Sequence, residues 1–361
     1  MAKQAFKVSD WELRHFMRTE QYANRITAIY EAVVREITRL GKSLKVDPEK
    51  LFSFDDYPVI REQVKKLLAD MAERIEAVTL EGTQAEWEFA NLKNDALVAS
   101  VLDTTKIPAK LLARYEAQNL SALATFQKRK VSGMNLSSRV WNYTQQFKEE
   151  MELALDIGIG EGRSADELSR DVREYLNEPD KLFRRVRNKR GQLVLSKAAK
   201  AYHPGQGVYR SSYKNAQRMT RTEINMAYRA SDHERWNQLD FVVGIEVRRS
   251  NNPYPCDVCE PLKGRYPKNF KFVGWHPNCR CYVVSILATS EEMRTLTQMI
   301  LNGEDLSQFK SGNLVTEMPQ GFTDWVDQNR KRLLRAKSQP YFIRDNFNEG
   351  RIDKGLRFTY K

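Results

Sequence analysis

A chain of 361 residues is long enough for two or three folding units, and its net charge of +12 leaves a surplus of positive charge to place. Hydrophobic residues make up 41% and aromatics 10%, an ordinary globular balance that excludes global disorder. No apolar run approaches the roughly 20 residues that cross a bilayer, and MAKQAFKVSDWELRHF at the start lacks a signal-peptide core. The chain is therefore expected to be cytosolic when made, where thiols stay reduced. A mean hydropathy of -0.63 and 29% charged residues predict a polar, helix-rich fold.

Tyr22, Ile26, Ile29, Val33, Ile37 and Leu40 step by three and four, which predicts a helix with one buried face, stopping at Gly41. Upstream, Trp11, His15 and Phe16 mark an amphipathic piece at a packing edge. Val64, Leu67, Met71, Ile75 and Val78 repeat the spacing and predict a helix ending before Gly82. Further helices are expected around residues 87–102 and 111–130, separated at Pro108. These stripes predict the seams of a helical bundle.

Asn135 or Ser137 would cap the next helix, which carries Val140, Phe147, Met151 and Leu155 and breaks at Gly158, Gly160 and Gly162. Ser164 and Glu167 form an S-x-x-E capping box for a helix bearing Leu168, Val172 and Leu176. Pro179 ends it, and the two helices read as an antiparallel pair.

Residues 181–222 contain no Asp or Glu. They carry Lys181, Arg184, Arg185, Arg187, Lys189, Arg190, Lys197, Lys200, Arg210, Lys214, Arg218 and Arg221, twelve positive charges that equal the excess of the whole chain, 59 minus 47. Such a local field attracts phosphate backbones or an acidic protein surface; a solvated basic loop is the competing reading. Asn188 to Gly191 predicts a turn between two short extended pieces, Val186 on one and Leu193 to Leu195 on the other, so residues 181–210 read as a basic hairpin arm. A helix is expected over about 211–238, then strands at 241–247 and 282–286, and a helix over 291–301. The tail from about Phe342 is expected to be polar and extended.

All four cysteines, Cys256, Cys259, Cys279 and Cys281, fall between those strands with His276, in PCDVCEPLKGRYPKNFKFVGWHPNCRC. A Cys-x-x-Cys pair facing His-x-x-Cys-x-Cys offers the donors a tetrahedral zinc ion needs. Five donors compete for four positions. On a regular strand Cys279 and Cys281 would point to opposite faces, which favours Cys256, Cys259, His276 and Cys279; an irregular backbone would let Cys281 replace His276. Enough soft ligands to close the shell, and no neighbouring Glu–His motif, predict a structural zinc site.

The helix RTEINMAYRASDHERW places Arg221, Asn225 and Arg229 on one polar face and Asp232 with Arg235 or Trp236 on another. Such pairs read as weak surface charge pairing or partner binding in preference to catalysis. His233 reads as an ordinary helix residue and His203 as a loop histidine. No phosphate-cradling P-loop, dinucleotide fingerprint or G-x-S-x-G elbow occurs.

Three segments carry a family resemblance: LALDIGIGEGRSADELSRDVREYL, then RTEINMAYRASDHERW with the apolar strand after it, then the Cys-x-x-Cys pair, the Leu262–Gly264 turn and HPNCRC. Over roughly residues 136–286 the chain resembles the phage head-morphogenesis proteins, minor head proteins similar to protein F of phage Mu. HPNCRC is the most specific element. The resemblance implies a minor virion component inside the capsid near the portal, passing through the host cytoplasm during assembly and handling packaged DNA. The partners it implies are the portal protein, other head proteins and double-stranded DNA, with no membrane and no small-molecule substrate. Some members carry Arg-x-x-His in place of the cysteine pair, so metal binding here rests on this chain's own spacing.

The expected fold is α+β, mostly helical, with a small β-sheet carrying a zinc-binding loop near the C-terminal third. Residues 1–133 would form a helical N-terminal domain, 134–288 the head-morphogenesis domain with its arm (181–210) and Cys/His segment (255–281), and 289–361 C-terminal helices and a polar tail. The expected role is structural, without turnover. The competing reading is a metal-dependent nuclease or toxin-like enzyme acting on nucleic acid through Arg221, Glu223 and His276.

Overall fold

The structure is a computed structural model that describes residues 6–44, 50–160, 164–178, 185–187, 190, 193–195, 211–250 and 255–358. The period-3.6 stripes become long helices. Helix α1 spans Val8–Lys42 and α2 spans Pro58–Val101. The expected break at Gly82 is absent. A mid-helix glycine costs about 1 kcal/mol relative to alanine. That is small beside the faces buried on either side, Val64, Met71, Ile75 and Val78 before it and Trp87, Leu97 and Val98 after it. Gly41 likewise lies inside α1 and not beyond it; a Cβ there would stand 2.6 Å from the Leu155 side chain.

The helix expected over 111–130 is two pieces, α3 (Ala109–Tyr115) and α4 (Leu120–Lys128), separated at Asn119, whose φ of 54° is left-handed. Helix α5 (Leu136–Gly160) is capped by Asn135, whose Oδ1 accepts the Ser138 N–H at 2.8 Å. Helix α6 (Ala165–Asn177) begins with both halves of the Ser164–Glu167 capping box. Its Leu168 packs over Gly158, where a Cβ would lie 1.7 Å from Leu168 Cδ2.

Strands β1 (Arg185–Arg187) and β2 (Leu193–Leu195) pair antiparallel with Val186 opposite Val194, the hairpin read from the sequence. Helix α7 spans Ser212–Gln238. The two strands expected around the cysteine segment, β3 (Val242–Arg248) and β5 (Tyr282–Leu287), pair directly. A third, β4 (Gly264–Tyr266), adds to the other side of β3, so the antiparallel sheet runs β4–β3–β5. Helix α8 (Ser290–Asn302) starts at a Thr289–Glu292 capping box. The protein is mostly helical with a small antiparallel sheet, an α+β fold.

The C-terminal region is not the polar extended tail expected from its composition. Helices α9 (Gln320–Gln328), α10 (Arg330–Arg335) and α11 (Tyr341–Asn346) follow the sheet, and Phe342, Ile343, Phe347 and Ile352 are buried. Four apolar anchors spaced among charges suffice to fold the segment down.

Two compact units emerge. One comprises residues 1–19, 82–127 and 222–361, the other residues 20–81 and 128–221. The second is a helical bundle with Ile26, Val33, Met71, Phe147, Met151 and Leu168 in its core. There the Tyr30 ring stands edge-on to Phe147 at 5.1 Å, and fully buried Glu150 accepts the backbone N–H and the hydroxyl of Ser212, capping α7. The first unit holds the sheet and an aromatic cluster of Tyr266, Phe270, Trp275, Phe322 and Phe342, which lies in the same core as the cysteines.

Candidate metal centre

The chain leaves β3, turns through Cys256 and Cys259, forms β4, then turns again through His276, Cys279 and Cys281 before β5. In the first turn the Glu260 N–H bonds the Cys256 carbonyl at 3.0 Å and the Cys259 N–H points at Cys256 Sγ at 3.4 Å. In the second, Asn278 adopts a left-handed φ of 57° and the Cys279 N–H returns to the His276 carbonyl at 3.1 Å. Gly274, at φ 128°, supports this turn: a Cβ there would meet Cys279 Cβ at 3.3 Å.

These turns bring all five predicted donors together. Cys256, Cys259 and His276 have their ligand atoms within 4.8 Å of one another, as do Cys259, Cys279 and Cys281, so Cys259 belongs to both groups. His276 Nε2 lies 3.3 Å from Cys256 Sγ and 3.1 Å from Cys259 Sγ, and Cys259 Sγ lies 3.9 Å from Cys279 Sγ. Tetrahedral coordination with metal–S of about 2.3 Å and metal–N of about 2.0 Å sets neighbouring ligand atoms roughly 3.5–3.8 Å apart; the observed spacings of 3.1, 3.3 and 3.9 Å bracket that range. His276 Nδ1 donates to the Pro277 carbonyl at 2.9 Å, which leaves the Nε2 lone pair aimed at the sulfurs. Strand β5 begins only at Tyr282, so the alternation rule does not apply to Cys281, and its sulfur joins those of Cys259 and Cys279. The residues can therefore hold a metal ion. Cys259, Cys279 and Cys281 are buried, Cys256 and His276 half-buried.

The electrostatics of the cluster divide its donors, lowering Cys256 and Cys279 and raising Cys259, Cys281 and His276. Burial opposes ionisation of Cys256, yet the N–H groups of Cys259 and Val258 hold its thiol below the usual range. Hydrogen bonds from Cys259 and Cys281 hold Cys279 well below it, and the same contacts drive Cys259 up. Cys281 is pushed up to about 12: the Cys259 hydrogen bond opposes this, but the Cys279 hydrogen bond, burial and the Cys279 charge outweigh it. Burial, the largest single influence, lowers the His276 pKa, but the Cys279 charge, the Pro277 carbonyl and Cys256 together raise it. A divalent cation would replace the shared protons, so affinity rises with pH.

Residues far away in sequence hold the second turn. The Asn278 N–H donates to Thr222 Oγ1 at 2.9 Å, and Asn225 Nδ2 donates to the Cys279 carbonyl at 3.3 Å. Asn225 Oδ1 meets His15 Nε2 at 3.1 Å, and His15 Nδ1 meets Glu86 Oε2 at 2.6 Å. Glu86 also binds Arg18. His15 is not at a packing edge but buried, its ring stacked on Tyr228 at 3.8 Å. None of Thr222, Asn225, His15 or Glu86 was singled out by sequence spacing as support for the cysteines.

Nor are the charges of the RTEINMAYRASDHERW helix the weak surface pairs expected. Arg229, Asp232 and Arg235 are at most 3% exposed. Arg229 grips Glu12 through both guanidinium nitrogens, Lys93 Nζ reaches Asp232 Oδ2 at 2.6 Å and Glu12 Oε1 at 3.5 Å, and Arg235 binds Asn91 and Asp95. Two acids and two bases thus neutralise one another, with Lys93 also 4.3 Å above the Tyr228 ring. Burial raises Asp232 despite its cations. For Glu12 the reverse holds, since Arg229 and Lys93 overcome burial and lower it to about 2. Burial, with Lys271 nearby, lowers His233 to about 3, so it stays neutral. Glu223 is also buried.

Of the basic stretch, Lys181, Arg184, Lys189, Lys197, Lys200, His203 and Arg210 lie outside the described residues. Arg185 and Arg187 are on β1, and Arg190 is exposed in the turn beyond it. Lys214, Arg218 and Arg221 lie on α7, half-buried; Arg221 forms a bidentate pair with Glu20 at 2.9 Å. No protein-family model, curated protein or solved structure matches this chain.

Proposed function

We propose that this chain is a non-enzymatic phage head protein in which one structural zinc ion, bound by Cys256, Cys259, His276 and Cys279, locks the two turns of the sheet unit. The observation that carries the metal part is the convergence of five thiol and imidazole donors with no carboxylate among them. Sulfur and imidazole suit zinc, and a surplus of donors closes the shell that a catalytic site would leave open to water. Zinc bound there would contribute to folding by clamping the segments before β4 and before β5.

The head-protein part rests on the resemblance over residues 136–286 and on the acid-free basic stretch. In this reading residues 181–210 bind DNA phosphates or an acidic portal surface, first in the host cytoplasm and then inside the capsid, while the helices dock on portal and head proteins. Each phosphate neutralised steepens the salt dependence of binding by about 0.9 in log–log slope. Reversing Arg184, Arg185, Arg187 and Arg190 to Glu should therefore flatten the slope for duplex DNA by about 3–4. An unchanged slope would contradict the arm's role. Mass spectrometry of purified particles should find the chain among virion proteins, and particles without it would contradict the head assignment. Cleavage of supercoiled DNA, lost with chelator or in Glu223→Ala, would favour the nuclease reading instead.

A further inference from the structure

Three large apolar side chains of α1 face solvent together. Leu13 is 60% exposed, Phe16 41% and Met17 56%. Their i, i+3, i+4 spacing sets them on one face, opposite buried His15 and Thr19. An arginine flanks the strip on each side. Arg280, between Cys279 and Cys281, lies 5.0 Å over the Phe16 ring. Arg14 lies 4.2 Å over Trp11 and 5.5 Å over Phe89. Both arginines are exposed, and among the described residues neither has a carboxylate partner. A guanidinium seated flat on a ring keeps N–H groups on its edge for an incoming acceptor; Arg14 engages only its Nε, on the Asp10 carbonyl at 3.3 Å.

We propose that this face of α1 is the docking site for an amphipathic acidic helix of a partner protein. Clustered exposed apolar side chains mark interaction surfaces, and a strip at i, i+3, i+4 matches the ridge an amphipathic helix lays down. Guanidinium groups along both edges select glutamate or aspartate beside that ridge and repel lysine. The chain's own basic stretch cannot occupy the site, because residues 181–222 contain no carboxylate. A phosphate backbone would satisfy the arginines but leave the apolar centre uncovered, so a protein helix is the better occupant.

The probe is a fluorescein-labelled synthetic helix of about five turns, with leucines along one stripe and glutamates on both sides of it. Anisotropy with the full chain should show saturable binding, at least tenfold tighter than for the same peptide carrying lysines in place of the glutamates. Paired Leu13→Ser and Met17→Ser changes should weaken binding about tenfold or more, the loss typical of removing an interface anchor. Paired Arg14→Glu and Arg280→Glu changes should reverse the preference, so that the lysine peptide binds more tightly. Failure of the glutamate peptide to bind would overturn the proposal. So would equal binding by the serine variant, or loss of duplex DNA binding in that variant. Should the serine variant lose its fold, the charge-reversed variant decides alone.

Discussion

Asp232→Ala tests whether the buried charges of the sheet unit hold it together. Asp232 is fully buried and accepts Lys93 at 2.6 Å and Asn94 at 2.9 Å, with Arg229 at 3.9 Å. Truncation leaves Lys93 facing only Glu12 at 3.5 Å, a carboxylate already committed to Arg229. An uncompensated buried charge typically costs about 3–5 kcal/mol. For a unit of about 200 residues each kcal/mol moves Tm by about 2–4 °C, so the midpoint should fall by roughly 10 °C. Tryptophan fluorescence isolates the unit: Trp11, Trp87, Trp236, Trp275 and Trp325 belong to it and only Trp141 does not. Adding Lys93→Met and making position 232 Leu should recover most of the loss, because a neutral apolar pair leaves Glu12 and Arg229 matched. A single variant within about 1 kcal/mol of the parent, or a double variant worse than the single, would refute the neutral-cluster interpretation.

Two other perturbations follow from the same unit. Glu12 is held at about 2 in the folded chain against a usual value of 4.5, so its contribution is fully present above pH 4.5 and is lost as pH falls toward 2. It amounts to about 3 kcal/mol, and Asp232, shifted upward, offsets part of it. Urea midpoints measured between pH 5 and 2 should therefore fall less steeply in Glu12→Gln than in the parent; parallel curves would contradict the pairing. Gly321→Ala would set a Cβ 2.2 Å from the Pro261 carbonyl, two residues beyond Cys259. The variant should lose about 1–3 kcal/mol, and an unchanged unfolding midpoint would show that α9 does not approach this turn so closely.

The elements that carry a regular period were legible in the sequence. The capping box at Ser164, the basic hairpin around Val186 and Val194, and the existence of strands β3 and β5 follow from local pattern alone, whereas the pairing of those two strands is a tertiary feature. Glycine punctuation misled at Gly41 and Gly82, because burial on both sides outweighs a small propensity cost. The buried C-terminal anchors were hidden by the charges around them. At the candidate metal site the donors could be read directly, since they crowd into one segment. Their support could not: Asn225, His15 and Glu86 are separated by up to 210 positions, and no spacing rule links side chains that meet only through tertiary packing. For the same reason Arg229 and Asp232 resemble surface residues until α1 and α2 are placed against α7 within the sheet unit.

Metal content of the purified chain and of Cys259→Ser, determined by plasma mass spectrometry after dialysis, bears most directly on the proposed clasp. Cys259 is the donor shared by both groups, so its loss breaks each of them, whereas Cys281→Ser leaves Cys256, Cys259, His276 and Cys279 in place. The prediction is one zinc per chain in the parent and in Cys281→Ser, and none in Cys259→Ser. A parent chain without bound metal, or a Cys259→Ser variant that keeps its zinc, would contradict it.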